Sequence, residues 1–352
     1  MTDPGSAHQT PPSSPGKSTT TTTTHHKPHI TWSDPYSKAL HAIDALSAIL
    51  PSLPPSLTSS ECPAAALLHD PDVSASLSAL LRRPDSGAVD DALCAWLYDT
   101  FHSSETNLQL VVLRFLPILA GIYLSRVGLH KPLSGFESVL LAIYAHETTA
   151  RAGQAVTASI PDLSHPSVYH EAHKQPPPQN GSTKLHLAVI SPSLEPYGTV
   201  RSTRRARIVG VALELYYSKI SKIPVGSKIE FCEFCKIWAG QDGNDDGEIS
   251  IDRQVLREKK ESRKGRINLT WELLQPVLRV LGHCLMGPEE NAELFRAAVC
   301  ACRCLHARAM RDINPKAILA TMSLVKLAER AVAMNAEVVD YTEIAVSNVI
   351  TI

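Results

Sequence analysis

The residues nearest to a chemical site are Asp242-Gly-Asn-Asp-Asp-Gly-Glu-Ile-Ser-Ile-Asp-Arg253. A calcium ion is held by several oxygen ligands, and an interhelical loop of this kind supplies them at fixed positions. Asp242, Asn244, Asp246 and Glu248 are the candidate ligands, with Gly247 at the sharp turn, Ile249 after it and Ser250 next. The last position needs a bidentate Glu and carries Arg253, which removes two oxygens and adds repulsion. The segment therefore reads first as an acidic loop built from Asx and glycine turns, and only second as a calcium site.

Cys232-Glu-Phe-Cys235 has the spacing of half a zinc site, and Cys300, Cys302 and Cys304 cluster later. A structural zinc site needs four converging ligands. Cys232 and Cys235 instead share a helical pattern with Ile229, Phe231 and Phe234, so they are expected to be buried free thiols acting as small apolar side chains. Ser167, His170 and Asp162 have the residue types of a triad but lie in one short extended stretch, with no glycine elbow. There is no phosphate-cradling Gly-x-x-x-x-Gly-Lys loop. No catalytic residue, cofactor or metal is expected.

Arg257, Lys259, Lys260, Arg263, Lys264 and Arg266 form a cationic run, and Arg201, Arg204, Arg205 and Arg207 a second cluster. The default reading of both is a solvated face. The first run is also the candidate contact for an anionic lipid surface, where each cation contributes ~1 kcal/mol. The interleaved aromatics of a single-strand binder are missing, so nucleic acid is not expected. A net charge of −1 steers the whole chain toward neither partner.

The elements that must position these residues are helical. Asp34-Pro35, Asp70-Pro71 and Asn314-Pro315 each join a capping side chain to a first-turn proline. Apolar spacing predicts helical stripes at Leu40/Ile43/Leu46/Ile49, Val73/Leu77/Leu80/Leu81, Val89/Leu93/Trp96/Leu97, Phe136/Leu140/Ile143/Tyr144 and Leu274/Val277/Leu278/Leu281. Gly287-Pro288 ends the last of these, and Glu289 and Glu290 open the next helix. Leu108 to Leu124 is nearly continuous apolar. Gln109, Arg114 and Pro117 interrupt it, which predicts one buried, proline-kinked helix rather than a membrane span. Lys184 to Ile190 alone alternates like a strand, and the Val168–Tyr169 arm is its expected hairpin partner.

The fold class is therefore all-α: an irregular helical bundle or short α-solenoid, with an extended connector and a small β-hairpin in the middle. Residues 1–32, rich in Thr, Pro and Ser, are expected to be a disordered tail. Residues 33–352 form the helical domain, with flexible loops at about 172–184 and 240–266. Eight cysteines scattered through apolar segments, and no apolar leader in the first 30 residues, suggest a reducing, cytosolic compartment.

Ile160-Pro-Asp-Leu-Ser-His-Pro-Ser-Val-Tyr-His-Glu171 is not helical, because Pro161 and Pro166 remove donors and extend the preceding residues. It reads as an ordered connector lying on the helical body. The run resembles a signature of the hyccin family, and three further stretches agree in order and separation: Leu113–Leu124, Glu137–Tyr144, and Leu215-Tyr-Tyr followed by Ile223-Pro224. The similarity covers roughly Asp34 to Met334, is strongest at Leu113–Tyr144 and Ile160–Glu171, and points to the plant type. The Asp242–Arg266 insertion has no evident family counterpart, and the long polar tail of animal members is missing. The resemblance implies a non-catalytic subunit of the plasma-membrane type III alpha phosphatidylinositol 4-kinase complex. Implied partners are the kinase, its tetratricopeptide-repeat scaffold and a membrane-anchored peripheral protein, with recruitment from the cytosol to the inner face of the plasma membrane. Pro166, Tyr169, His170 and Glu171 are the family-motif residues carried over, expected mainly to pin the connector to the helices. A calcium-regulated helical adaptor using residues 242–253 is the alternative function.

Overall fold

The computed structural model describes residues 34–127, 133–161, 185–196, 204–240, 267–287 and 291–336. Eight helices come first: α1 (Pro35–Ser47), α2 (Ser56–Ser59), α3 (Pro63–His69), α4 (Pro71–Leu81), α5 (Ala92–His102), α6 (Thr106–Arg114), α7 (Leu116–Val127) and α8 (Ser134–Ala150). Strands β1 (Val156–Pro161) and β2 (Leu185–Ser191) follow. Then come α9 (Arg205–Ser218), a 3₁₀ turn at Ile220–Lys222, α10 (Val225–Ala239), α11 (Trp271–Met286), α12 (Ala292–Arg311) and α13 (Pro315–Ala336). The architecture is all-α with one small antiparallel hairpin.

Capping chemistry sets several helix starts. The Asp70 carboxylate accepts from Val73 N at 2.8 Å, and Asn314 Oδ1 accepts from Ala317 N at 3.2 Å. Asp91 and Glu105, which no proline marks, cap α5 and α6 in the same way. The start of α12 corrects the expectation at Glu289-Glu290: Asn291 Oδ1 accepts from Leu294 N at 2.9 Å, and the helix begins at Ala292. A short amide side chain at the N-cap position reaches the exposed amides of the first turn directly.

The predicted stripes reach the core with local exceptions. Phe136, Leu140, Ile143 and Tyr144 are fully buried. In α1 the buried face is Ala39, Ala42, Ile43 and Leu46, with Ile49 beyond the helix. Val89 is 75% exposed, because Asp91 starts α5 after it. The Leu108–Leu124 run is two helices, not one kinked helix, bent by 46° at Phe115. Pro117 cannot donate to the Leu113 carbonyl, and the turn before it tightens so that Phe115 N donates to Val112 O. No single helix among the described residues is long and apolar enough to cross a membrane; this bent pair passes only when joined, and most of it is buried in the protein.

Helices advance in a staggered order, with extensive packing between second and third neighbours: α3 on α6, α5 on α8, α7 on α10, α9 on α11, α10 on α12, and α11 on α13, with α13 also lying along α12. One continuous apolar core runs from Ile43 to Ala328. Where α9 crosses α11, Gly210 sits against the carbonyl of Glu272; a Cβ there would lie 2.5 Å from that oxygen. Pro276, four residues on in α11, has no N–H to offer the same carbonyl. The bare glycine thus brings its Cα hydrogens onto an acceptor its own helix cannot serve.

Buried arginines close helix ends and turns on neighbouring elements. Arg114, on α6, donates to the carbonyls of Leu68 and Asp70 at the end of α3, and to Ser74 Oγ. Arg126, on α7, donates to Ser86 O at 2.7 Å and to Arg83 O beyond α4. Arg308, on α12, binds Asp312 and reaches the Trp238 carbonyl near the end of α10. Ser227 of α10 donates in turn to the Arg114 carbonyl, the last of α6. Burial lowers the pKa of Arg114 and Arg126, yet a guanidinium remains charged.

Arg114→Ala should therefore expose the structural role of this clamp. It removes the side-chain donor of the buried Leu68 carbonyl, at ~1–3 kcal/mol, while Asp70 O keeps its bond from Ser74 N. Urea unfolding of the variant should show a loss within that range or above it; an unchanged midpoint would refute the assignment.

Candidate functional site

The feature that stands off the helical body is the hairpin. Thr157 pairs with Val189, Ser159 with Leu187, Ile160 with His186 and Pro161 with Leu185. Among the described residues the strand paired with β2 is 156–161; the Val168–Tyr169 arm expected from sequence lies outside them. Val156 and Ile160 supply the extended propensity, which the prolines that follow had masked. Leu187 (69% exposed) and Val189 (56%) point out on one face, and Ile160 is exposed on the other. Two strands alone are marginally stable, so something else must fix them.

The fixing is done at the base. Arg151, ending α8, donates through Nε to Glu147 Oε2 at 2.7 Å, and through Nη1 to Ser191 Oγ at 2.9 Å and Glu214 Oε2 at 3.1 Å. Arg279 of α11 lies 3.6 Å from Glu214 Oε1, an ion-pair rather than hydrogen-bond distance, and stacks its guanidinium over the Tyr217 ring at 5.2 Å. Burial lowers the pKa of Arg279, while Glu214 opposes the shift. Two carboxylates and two guanidiniums, largely covered, thus join α8, α9, α11 and the end of β2 with no net charge.

The strand exit is held as firmly. Leu194 N donates to Gly153 O at 2.9 Å, and Glu195 N to Tyr144 Oη at 3.1 Å. Arg207 donates to Ser193 O at 2.6 Å, and Arg204 pairs with Glu195. Arg205 lies 3.6 Å from Glu137, which also accepts from Tyr123 Oη at 2.8 Å. Arg207, read from sequence as part of a solvated cluster, is buried and engaged with the protein instead, while Arg204 and Arg205 stay solvent-exposed in part and pair with Glu195 and Glu137. The reason is topological: the chain returning from β2 brings carbonyls and Glu195 alongside the first turn of α9.

The other sequence candidates divide. Asp242, Asn244, Asp246, Glu248 and Arg253 lie outside the described residues, as do Arg257 to Arg266, the triad types Asp162, Ser167 and His170, and the loops at 172–184 and 240–266 past Gly240. The family-motif residues Pro166, Tyr169, His170 and Glu171 lie there too, within the stretch joining Pro161 to Leu185. The cysteines are described: Cys232, Cys235, Cys284, Cys302 and Cys304 are buried free thiols where α10, α11 and α12 meet. A hydrogen bond with Cys284, reinforced by burial, pushes the Cys232 thiol up; burial pushes up Cys235, and Cys302 to about 12. Protonated thiols are poor nucleophiles and poor metal ligands. Among the described residues, no group of three or more His, Cys, Asp or Glu side chains is placed to hold a metal ion.

A cleft of about 720 Å³ between α5 and α8 is floored by Phe101, Leu141 and Ala145, with His102 and His146 on its walls. Three of its hydroxyls are spent on the main chain: Ser104 Oγ donates to His102 O, Ser138 Oγ to Ser134 O and Thr149 Oγ1 to Ala145 O. None of these is hydrogen-bonded to an imidazole, as an activated nucleophile would be.

Alkylation separates the thiols. In the native state at about pH 8, Cys62 should react with iodoacetamide, and the five thiols between α10, α11 and α12 only after denaturation; rapid native labelling of Cys235 would contradict the burial. Glu230 gives a pH test. It accepts from Ser78 Oγ at 3.1 Å and lies 3.5 Å from Arg82. Burial raises its pKa despite the opposing Arg82 charge. A carboxyl raised on folding binds more protons folded than unfolded, so its contribution is most favourable below its ordinary value and declines as pH rises through the raised one. Glu230→Gln should abolish that decline in urea midpoints from about pH 4 to 7; superimposable profiles would sink the prediction.

Against known families, a model described as Hyccin matches residues 58–346, most of the chain. The match begins further in than Asp34 and runs past Met334.

Proposed function

The chain belongs to the hyccin family, and from that membership we propose that it is a non-catalytic subunit of a plasma-membrane phosphatidylinositol 4-kinase complex. The family is known as a component of the type III alpha kinase complex. In our reading the chain binds and stabilises the tetratricopeptide-repeat scaffold of that complex. It works at the inner face of the plasma membrane, beside a membrane-anchored peripheral protein, and so supports phosphatidylinositol 4-phosphate synthesis. The observation that carries the reading is the family match across residues 58–346.

The mechanism is binding-driven. A subunit that binds only the folded scaffold stabilises it by mass action, by ~2.7 kcal/mol when its free concentration is about a hundred times the Kd. A stable union should bury more than ~1,000 Å². The hairpin supports this reading. Its base is anchored by ion pairs, it forms a two-stranded sheet among the described residues, and Leu187 and Val189 stand exposed on one face. Such an element can meet a partner with its exposed apolar side chains.

Affinity purification of the full chain, with and without a calcium chelator, tests the proposal. The lipid kinase and its repeat scaffold should be recovered equally in both. Replacing Leu187 and Val189 together by Asp should lower scaffold recovery by about tenfold or more, with the thermal midpoint of the isolated chain unchanged. A chelator-sensitive partner set lacking the kinase would overturn the reading and favour calcium regulation.

A further inference from the structure

The turn between α12 and α13 contradicts two ordinary preferences at one residue. Asn314 N donates to Ala309 O, and Ile313 N to Met310 O, closing α12 in the manner usual for a glycine at the turn. The residue there is Ile313, at φ +49°. A β-branched side chain in the left-handed region is strained. It also gains no burial, for Ile313 is 80% exposed. Glycine or asparagine would suit the backbone better, and a polar residue would suit the water.

Ile313 has exposed apolar company. Met310 on the last turn of α12, and Leu319 (72%) and Met322 on the outer face of α13, surround the same corner. Their setting is cationic. Arg303 shares the outer face of α12 with Met310, two turns or ~10 Å away, and Lys326 stands in the same relation to Leu319. Arg311 and Lys316 lie on either side of Ile313, all four cations being exposed. Lys316 Nζ sits 3.7 Å above the half-exposed Trp271 ring. Two carboxylates lie close by: Asp312, bound by Arg308 Nε at 2.6 Å, and Glu272 beside Trp271. Glu329 follows Lys326 along α13.

We propose that this corner is a contact site for an anionic lipid surface, with Ile313, Leu319, Met310 and Met322 entering the interface and Arg303, Arg311, Lys316 and Lys326 meeting headgroups. The apolar side chains sit on a protruding turn rather than in a cleft; the 720 and 550 Å³ cavities lie elsewhere, along α5 and α8 and beside α4. Protruding aliphatics ringed by long-stemmed cations, with a tryptophan at the edge, suit a headgroup boundary, where stems lie in the apolar layer and charges stay outside it. The placement does not rest on scaffold binding, and it uses none of the residues 257–266.

Co-sedimentation of the full chain with phosphatidylcholine vesicles, with and without phosphatidylserine, tests it. Binding should require phosphatidylserine, and replacing Ile313 and Leu319 together by Asp should lower partition by ~tenfold or more. Ile313→Asn is the sharper variant: the left-handed backbone accepts Asn, so the thermal midpoint should hold or rise while partition falls. Because the 257–266 cations are intact in every variant, such a loss belongs to the corner. Unchanged partition in these variants overturns the proposal. So does the pattern in which partition holds but self-association or recovery of the repeat scaffold is lost, since the corner would then be a protein interface.

Discussion

Helix ends are the constraint on which this fold depends. A body of many short helices has many termini, and each leaves carbonyls that its own helix cannot satisfy. Where an end is buried, water cannot serve either, and an unpaired carbonyl is costly. The protein meets this with guanidinium groups lent by neighbours. Arg114 closes the end of α3, Arg126 the turn after α4, Arg207 the exit from β2, and Arg308 the end of α10. Arginine suits the task because its planar fork serves more than one carbonyl and keeps its charge when covered. Such clamps also hold one helix against another, so satisfying a terminus and fixing a packing angle become a single event.

The same economy runs through the polar interior of the described residues. Its charges are arranged to cancel, as with Glu147, Arg151, Glu214 and Arg279, or to serve carbonyls. Its thiols are held protonated by burial, and three hydroxyls of the α5–α8 cleft donate to the main chain. Some apolar side chains also face outward: Leu187 and Val189 on the hairpin, Ile313 and Leu319 at the last turn. The two places differ in character. The hairpin offers exposed apolar side chains on an anchored base, which suits a polypeptide, whereas the α12–α13 corner offers aliphatics among cations, which suits a headgroup layer.

Particular residues show where sequence reading stops. Asp70 and Asn314 announce their helices because a cap acts within three residues of itself. Phe136, Leu140, Ile143 and Tyr144 announce a buried face because helical spacing is local too. Arg114 looked like an interruption in an apolar run; nothing within its own helix says that Leu68, far back in the chain, needs a donor. Arg204, Arg205 and Arg207 looked like a solvated patch, since the chain that engages them returns from a hairpin whose first strand was not evident. Ile313 looked ordinary, because neither its left-handed backbone nor its exposure is written in its neighbours.

From sequence alone came the helical class, the helix starts at Pro35, Pro71 and Pro315, the family and the expectation of a binding protein, all of which follow from short-range periodicity, capping and motif. The tertiary structure decided which strands pair, that the apolar run divides at Phe115, which arginines serve which carbonyls, and which apolar residues remain outside. Those outcomes turn on groups distant in sequence competing for the same space and the same hydrogen bonds, and that competition is resolved only when the chain is folded.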